Sequence, residues 1–396
     1  MVTMTSADKA LKTLYLGAVA EQLNTDVNPL LTAIKQTTTD VWGKEVRRVV
    51  KYGINGGIGA GDEDGDLPSA SGNNYQQIVS TLKNLYGTIE ISDKAIRASE
   101  KDVGAFVNLL NAEMEGLVKA STFNFGRMLY GDGTGKLATA VSYSGNKISC
   151  DNVKNLYEGM VIDVKSQDLA TTMCKGRKIL SVDRETKAIF VDGATLTAND
   201  VTSGCAITVQ GSCDKEITGL GAIFGNSETL YGLNREENKW LKPYIQNDVG
   251  EISETVIQKA IDELDDNYGS KVNFIVCSSG VKRAFQKYLS SYKRNLDVME
   301  LKGGYKALSY NGIPIVSDRF CPDGTMFLLN TDDFALHQLC DWKWLESEDG
   351  KVLRQKAGKP TYTATLVKYA ELICDQPNGQ AKFSGILSTV SNPFAN

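Results

Sequence analysis

The sequence predicts an α+β chain built around one long helix. Three observations carry that prediction. Apolar residues keep helical spacing from Asp102 to Leu129, the longest stretch in the chain to do so. Two β-rich segments flank a tract dense in Gly, Asp and Ser between Gly53 and Asn74. Beyond Leu137 the texture changes to short β-rich runs, and later to helices interleaved with strands.

In the first stretch Val103, Phe106, Val107, Leu110, Met114, Leu117, Val118, Phe125 and Met128 recur at steps of three and four, forming one stripe, and Gly131 ends it. Such a helix would be roughly 40 Å long, so something extended must lie along it. Two core helices broken near Gly116 are the alternative, because an interior Gly costs about 1 kcal/mol relative to Ala.

Taken in order, the segment from Ala7 to Leu23 places Leu11, Leu14, Tyr15, Ala18, Val19 and Leu23 at helical spacing, and Pro29 stops its continuation. Glu45–Tyr52 reads as an exposed strand, Gly53–Asn74 as a loop tip with little to anchor it, and Tyr75–Ser92 as a returning strand with a bulge at Gly87. The two strands and the tip make a β-arm, which is marginal alone in water and needs a neighbour to lie on. From about Asn146 to Cys213 the runs MVIDV, RKILSVD, KAIFVDG and AITVQGS predict an all-β insert, a candidate small barrel, with Arg184–Lys187 as a hairpin connection. Then follow an amphipathic helix through Ile252–Tyr268 capped by Gly269, a buried strand in KVNFIVCSS, a helix in SGVKRAFQKYLSSY, and strands in IPIVSD and TMFLLNT. Tyr362–Cys374 and Gln380–Leu387 flank the turn Pro377-Asn-Gly379 and read as a closing pair of strands.

Composition narrows the function. With 396 residues, 42% hydrophobic and 23% charged, the chain has room for two or three domains and a substantial core. A formal net charge of −5 argues against a protein whose main work is gripping nucleic acid. The eight cysteines form no CxxC pair, which removes the usual zinc and dithiol spacings and favours isolated buried thiols. No run of about 18 apolar residues occurs, and no signal-peptide pattern opens the chain, so no membrane span and a cytoplasmic site of synthesis are expected. The single histidine, His337, rules out a multi-histidine metal site and reads as a half-buried strand or turn residue.

Three motifs fail on spacing. Asp62, Asp64 and Asp66 match the start of a calcium loop, but Leu67 and Asn73 stand where Gly and the bidentate Glu are required. Gly131–Lys136 follows a helix instead of a strand and has Leu137 at the magnesium-binding position of a phosphate loop. Gly57, Gly59 and Gly61 lack the dinucleotide spacing. No catalytic, cofactor-binding or metal-ligating residues are therefore assigned and no cofactor is expected. An α/β enzyme using Asp318, Asp332 or Asp333 near strand ends remains the runner-up.

The order of parts, with the β-arm, the long helix ending at LYGDGTGKLA, the β insert and the texture of MELKGGYKALSYNGIPIVSDRFCPDGTMFLLNT followed by WKWLE and DGKVLRQK, resembles the major capsid proteins of tailed bacteriophages, whose fold is the Hong Kong ninety-seven type. The resemblance implies an N-terminal arm at 1–44, an extended β-arm loop at 45–92 and a peripheral domain with the spine helix at 93–145. It further implies an all-β insertion domain at 146–213, a peripheral return at 214–241, an axial domain at 242–353 and closing peripheral strands at 354–396. The implied function is structural: self-assembly into hexamers and pentamers of an icosahedral head enclosing double-stranded DNA, in the virion after assembly in the host cytoplasm. Implied partners are further copies of the chain, a scaffolding protein, a portal, a head-decoration protein, and packaged DNA through the inner face only. No coiled-coil scaffolding segment precedes the arm, so either a separate scaffold or a processed N-terminus is expected. Some members of the family join subunits through a Lys to Asn isopeptide bond, for which Lys51 and Lys83 lie in the arm. Another virion component, such as a tail or decoration protein, is the alternative within the same class.

Overall fold

The computed structural model describes residues 28–94, 103–292, 298–300, 306–346, 350 and 352–388. The helix expected over Ala7–Leu23 lies outside the described residues. The described chain opens with a short helix α1 (Pro29–Ala33), with Pro at its start and Leu30 and Leu31 buried. Strands β1 (Lys35–Thr37), β2 (Val41–Trp42) and β3 (Glu45–Tyr52) follow. After the tip loop, β4 (Asn74–Thr81) returns antiparallel to β3 over its full length, from Glu45 opposite Thr81 to Tyr52 opposite Asn74. The returning segment is not one strand. At Leu82 the chain leaves the ribbon, and β5 (Lys83–Ser92) joins a different sheet.

Nor does Gly87 make a bulge, because β5 pairs in unbroken register from Lys83 to Ser92. It marks a close approach instead. A Cβ there would stand 2.9 Å from Leu117 Cδ1 and 3.1 Å from Ser121 Oγ of the long helix α2 (Val103–Leu129). That helix is continuous through Gly116, whose missing Cβ faces open space. At 27 residues it is about 40 Å long. Met114, Val118, Phe125, Met128 and Leu129 on it are buried, which is the C-terminal part of the expected stripe; the side chains of Val103 to Leu110 lie outside the described residues. Gly126 lets the incoming chain cross, since a Cβ there would fall 2.2 Å from Asn28 Oδ1 and 2.5 Å from Phe320 Cε2.

A closed six-stranded barrel comes next: β6 (Lys136–Ser144), β7 (Lys147–Cys150), β8 (Val161–Lys165), β9 (Thr172–Asp183), β10 (Ala188–Val191) and β11 (Ala206–Val209), in the cyclic order β10-β7-β6-β11-β8-β9. It has its own core around Ile148, Leu156, Ile162, Val164, Ile189 and Ile207. The barrel begins at Lys136 and not near Asn146, because β6 fills its inward positions with small residues, Ala138 and Ala140, that carry little β signal. The Arg184–Lys187 connection joins β9 to β10, with Asp183 accepting from the N–H groups of Glu185 and Thr186, both at 3.0 Å. Lys154 of the barrel donates to Asp323 at 2.7 Å and to the Cys321 carbonyl at 2.8 Å, fastening the barrel to the body.

The chain then makes α3 (Leu220–Ile223), the pair β12 (Thr229–Leu230) and β13 (Leu233–Asn234), and β14 (Tyr244–Gln246). Helix α4 (Glu254–Tyr268) starts at Ser253, whose Oγ accepts from Val256 N, and stops at Gly269 with φ +63°. β15 (Phe274–Cys277), α5 (Ser279–Tyr292), β16 (Val298–Glu300), β17 (Lys306–Tyr310), β18 (Ile313–Ser317) and β19 (Met326–Leu329) follow. Seven strands form this sheet in the order β14-β23-β19-β15-β18-β17-β16, where β23 is Ala381–Phe383. Strand alternation splits its side chains. Ile275, Cys277, Ile315, Met326 and Leu328 pack with α4 and α5 in one core, while Phe274, Val276, Val316, Phe327 and Leu329 join the core containing α2.

The second sheet contains β20 (Phe334–Trp344), β21 (Arg354–Gln355) and β22 (Thr361–Cys374) in the order β1-β20-β22-β21, with β5 also paired to β22. The expected closing pair of strands is therefore not a hairpin. After β22 the Pro377–Gly379 turn carries the chain into the seven-stranded sheet, where β23 runs parallel to β14 and antiparallel to β19. Tertiary contacts direct this exit: a Cβ on Gly379 would meet Ser270 Oγ at 2.7 Å, and the buried Gln380 side chain bonds Asn330 N at 2.8 Å and Asp333 at 2.9 Å.

Candidate assembly surface

The arm presents apolar side chains that its own chain leaves uncovered. Along β3, Val46 and Val50 turn inward and are buried, whereas Val49 is 64% exposed. Trp42 and Tyr75 are exposed beside it, and the tip adds Ile54 at 76%, Ile58 at 75% and Leu67 at 90%. Scattered exposed apolar residues need no explanation, but this set is concentrated on one projecting element, which is how interaction surfaces are marked. The tip also carries Asp62, Glu63, Asp64 and Asp66, with no Lys or Arg between Gly53 and Asn74. Its bonds are local, such as Gly57 N to Asn55 Oδ1 at 2.8 Å and Gly65 N to the Asp62 carbonyl at 3.1 Å.

The ribbon below the tip is fixed along its length. Arg48 of β3 bridges Asp40 at 3.1 Å and Asp375 at 2.5 Å, and the Tyr52 ring stacks on Trp240 with centroids 5.7 Å apart. Beneath it, His337 is fully buried, not half-buried, with Nδ1 2.9 Å from the Thr39 carbonyl. Its strand lies inside the five-stranded sheet, between β1 and β22.

The residues singled out by sequence do not converge on one chemical centre. Asp62, Asp64 and Asp66 are exposed on the tip, and among the described residues no group of three or more His, Cys, Asp or Glu is placed to hold a metal ion. Gly131–Lys136 is a turn in which Asp132 accepts from the N–H of Thr134 at 3.0 Å. Asp318 is buried and accepts from Tyr130 Oη at 2.8 Å and Phe320 N at 2.9 Å, a joint between the end of α2 and the loop after β18; burial pushes its carboxyl up from the ordinary range. Asp333, which burial pushes up to about 6, accepts from Gln380, and Asp332 is exposed. Lys51 is exposed on β3 and Lys83 is half-buried on β5. All eight cysteines are free thiols, six of them buried.

Sequence reading missed the buried charges that join the layers. Arg127 near the end of α2 grips Glu216, in the segment leaving the barrel, through two bonds of 2.9 and 2.5 Å, with both side chains almost wholly buried. Lys368 on β22 is fully buried and donates to Gln338 at 2.8 Å and Asp341 at 2.7 Å, with its Nζ 5.4 Å from the centre of the Phe125 ring; burial lowers its pKa. Glu371, three residues on, accepts from Thr218 N at 2.7 Å and Leu372 N at 3.0 Å.

Burial pushes Glu371 from an ordinary 4.5 up to about 7. A raised folded-state value means the fold favours the neutral acid. The stability this contributes is complete below the unfolded value and is lost as pH rises through about 7. Thermal melts of the wild-type chain between about pH 5 and 8 are expected to show this loss, and Glu371→Gln is expected to flatten it; an unchanged slope would refute the assignment.

Two layers sharing one long helix, a projecting β-ribbon, an inserted barrel and a mixed sheet domain make up the fold of phage capsid proteins of the Hong Kong ninety-seven type. Residues 184–359 match the family model described as SU10 major capsid protein. The chain is similar to the capsid asymmetric unit of cyanophage A-1(L), at 12% identity and a TM-score of 0.54, over 90% of this chain and 92% of that one. It is also similar to the capsid of a native GTA particle (11% identity, TM-score 0.47, 89% of each chain) and to the capsid of Myoviridae phage XM1 (7%, 0.46, 91% and 92%). The fold assignment rests on the first of these. No curated protein sequence matches the chain.

Proposed function

We propose that many copies of this chain close into hexamers and pentamers of an icosahedral head around double-stranded DNA. The observation that carries the reading is the arm: a ribbon with exposed Trp42, Val49, Ile54, Ile58 and Leu67 that its own body does not cover. Burying such surface on neighbours yields about 25 cal/mol per Å², offset by the entropy of association. In this reading 1–44 is the N-terminal arm, 45–92 the extended loop, and 93–145, 214–241 and 354–396 the peripheral domain around spine helix α2. Residues 146–213 are the insertion domain and 242–353 the axial domain. Assembly takes place in the host cytoplasm with a scaffolding protein, a portal and a decoration protein as partners. With a net charge of −5, the subunit meets DNA on the inner face through local Lys and Arg or through its arms. In this reading the subunit's role is structural, with Asp318 and Asp333 serving as packing joints.

The test is deletion of Gly53–Asn74 with a short turn in its place. The subunit is expected to melt as the wild type does, since the tip adds nothing to the cores, while shells and rings disappear from electron micrographs. Unfolding of the deleted subunit would refute the arm assignment.

A further inference from the structure

Among the described residues Lys368 is the only buried lysine. Its Nζ lies 5.4 Å from the centre of the Phe125 ring and 5.9 Å from that of Trp342, and two polar side chains reach it, both from β20: Gln338 Oε1 at 2.8 Å and Asp341 Oδ1 at 2.7 Å. Residues three apart on a regular strand point to opposite faces of the sheet. Here they share one, because the register of β20 against β22 shifts between Gln338 and Cys340 and again between Cys340 and Lys343. The irregularity leaves Leu339 exposed and gathers an amine, a carboxamide and a carboxylate in one place.

Burial among these rings lowers the Lys368 pKa and so favours the neutral amine, the nucleophilic form. Gln338 is buried beside it, and a turn about the last, broad torsion of its side chain brings the carboxamide carbon to the amine that its oxygen already contacts. Asp341 stands within reach of the proton that the amine must lose. Its side chain is 35% exposed, which opens a way out for a small product. The rings of Phe125 and Trp342 cover the amine and disfavour competing attack by water.

We propose that Lys368 and Gln338 of one chain join in an isopeptide bond, with Asp341 carrying the proton. Nζ adds to Gln338 Cδ, and its proton passes to the Asp341 carboxylate. Asp341 then gives that proton to Gln338 Nε2, the Cδ–Nε2 bond breaks and ammonia leaves, so that an amine and a primary amide become a secondary amide and ammonia with no oxidant or reductant. Both partners lie in one subunit, so the bond welds β20 to β22 and joins no neighbours. It locks the sheet against which α2 packs through Phe125. The weld forms in the free subunit, whether or not subunits assemble.

Peptide mapping of the denatured wild-type chain by mass spectrometry tests it. The expected result is a pair of linked peptides, one holding Gln338 and the other Lys368, lighter than their sum by one ammonia. Ring closure at an Asn-Gly pair such as Asn378-Gly379 also releases ammonia, but it joins no two peptides. Asp341→Asn keeps the size of the side chain and removes its base, and is expected to slow linkage about 100-fold or more. Separate Gln338 and Lys368 peptides from folded wild-type chain held for days at neutral pH would overturn the proposal, as would linkage of a folded Asp341→Asn chain at the wild-type rate. If Asp341→Asn does not fold, the wild-type map decides alone.

Discussion

Gly219→Ala is expected to destabilise the subunit by about 3 kcal/mol or more, at the upper end of the range for inserted methyl groups. The added Cβ would lie 2.3 Å from the Met128 carbonyl oxygen, 2.6 Å from that of Gly131 and 2.7 Å from that of Leu129. These are backbone atoms at the end of α2, so they cannot swing aside as a side chain can. Gly221 sits in the same crossing, with a would-be Cβ 2.8 Å from the Gly131 carbonyl carbon. The two glycines let the segment leaving the barrel lie directly on the helix terminus. Denaturant unfolding measures the effect, with Gly116→Ala as the control: its Cβ meets nothing within 4 Å, and relief of glycine's helix penalty should stabilise by about 0.5–1 kcal/mol. Equal and small effects at both positions would refute the crossing.

The second large effect is expected at the Arg127–Glu216 pair. Breaking it from one side, by Arg127→Met or Glu216→Gln, should cost about 3–5 kcal/mol, because the remaining group keeps its burial and loses its partner. Replacing both by Met and Leu should cost far less than the sum, since the desolvation of two ions disappears along with their attraction. A double-mutant cycle in denaturant reads this directly, and additive costs would refute the coupling. The pair sets how the barrel is carried on α2, so the single variants are also expected to loosen the Lys154–Asp323 fastening between barrel and body. Increased proteolysis in the loop between β7 and β8 would report it.

Legibility followed the physics of each element. Helices α4 and α5 could be read because one apolar face and one polar face leave a local period in the sequence, and Ser253 and Gly269 mark the ends of α4. The barrel could be read in its later strands, where Ile, Val and Phe alternate, and not in β6, where Ala138 and Ala140 do the inward packing. Lys368 and Glu371 carry no local signal of burial. Both are buried, since β22 is flanked along its length by β5 and β20 and packs against helix α2 through Phe125. No local pattern distinguishes a charged residue facing water from one facing a partner that arrives from elsewhere in the chain.

Local residue patterns specify the parts and their order: the long helix, the β-arm with its acidic apolar tip, the β insert and the mixed domain, together with a single histidine and no CxxC pair. Capping, periodicity and composition are properties of neighbouring residues, so they survive without the fold. How the parts share strands is set by long-range packing. It parted β4 from β5 at Leu82 and sent the chain after Cys374 into a second sheet. It also gave Gly87, Gly126 and Gly219 their meaning as crossings at a helix. Those outcomes depend on what stands opposite a residue in space, and that neighbour is far away in the chain.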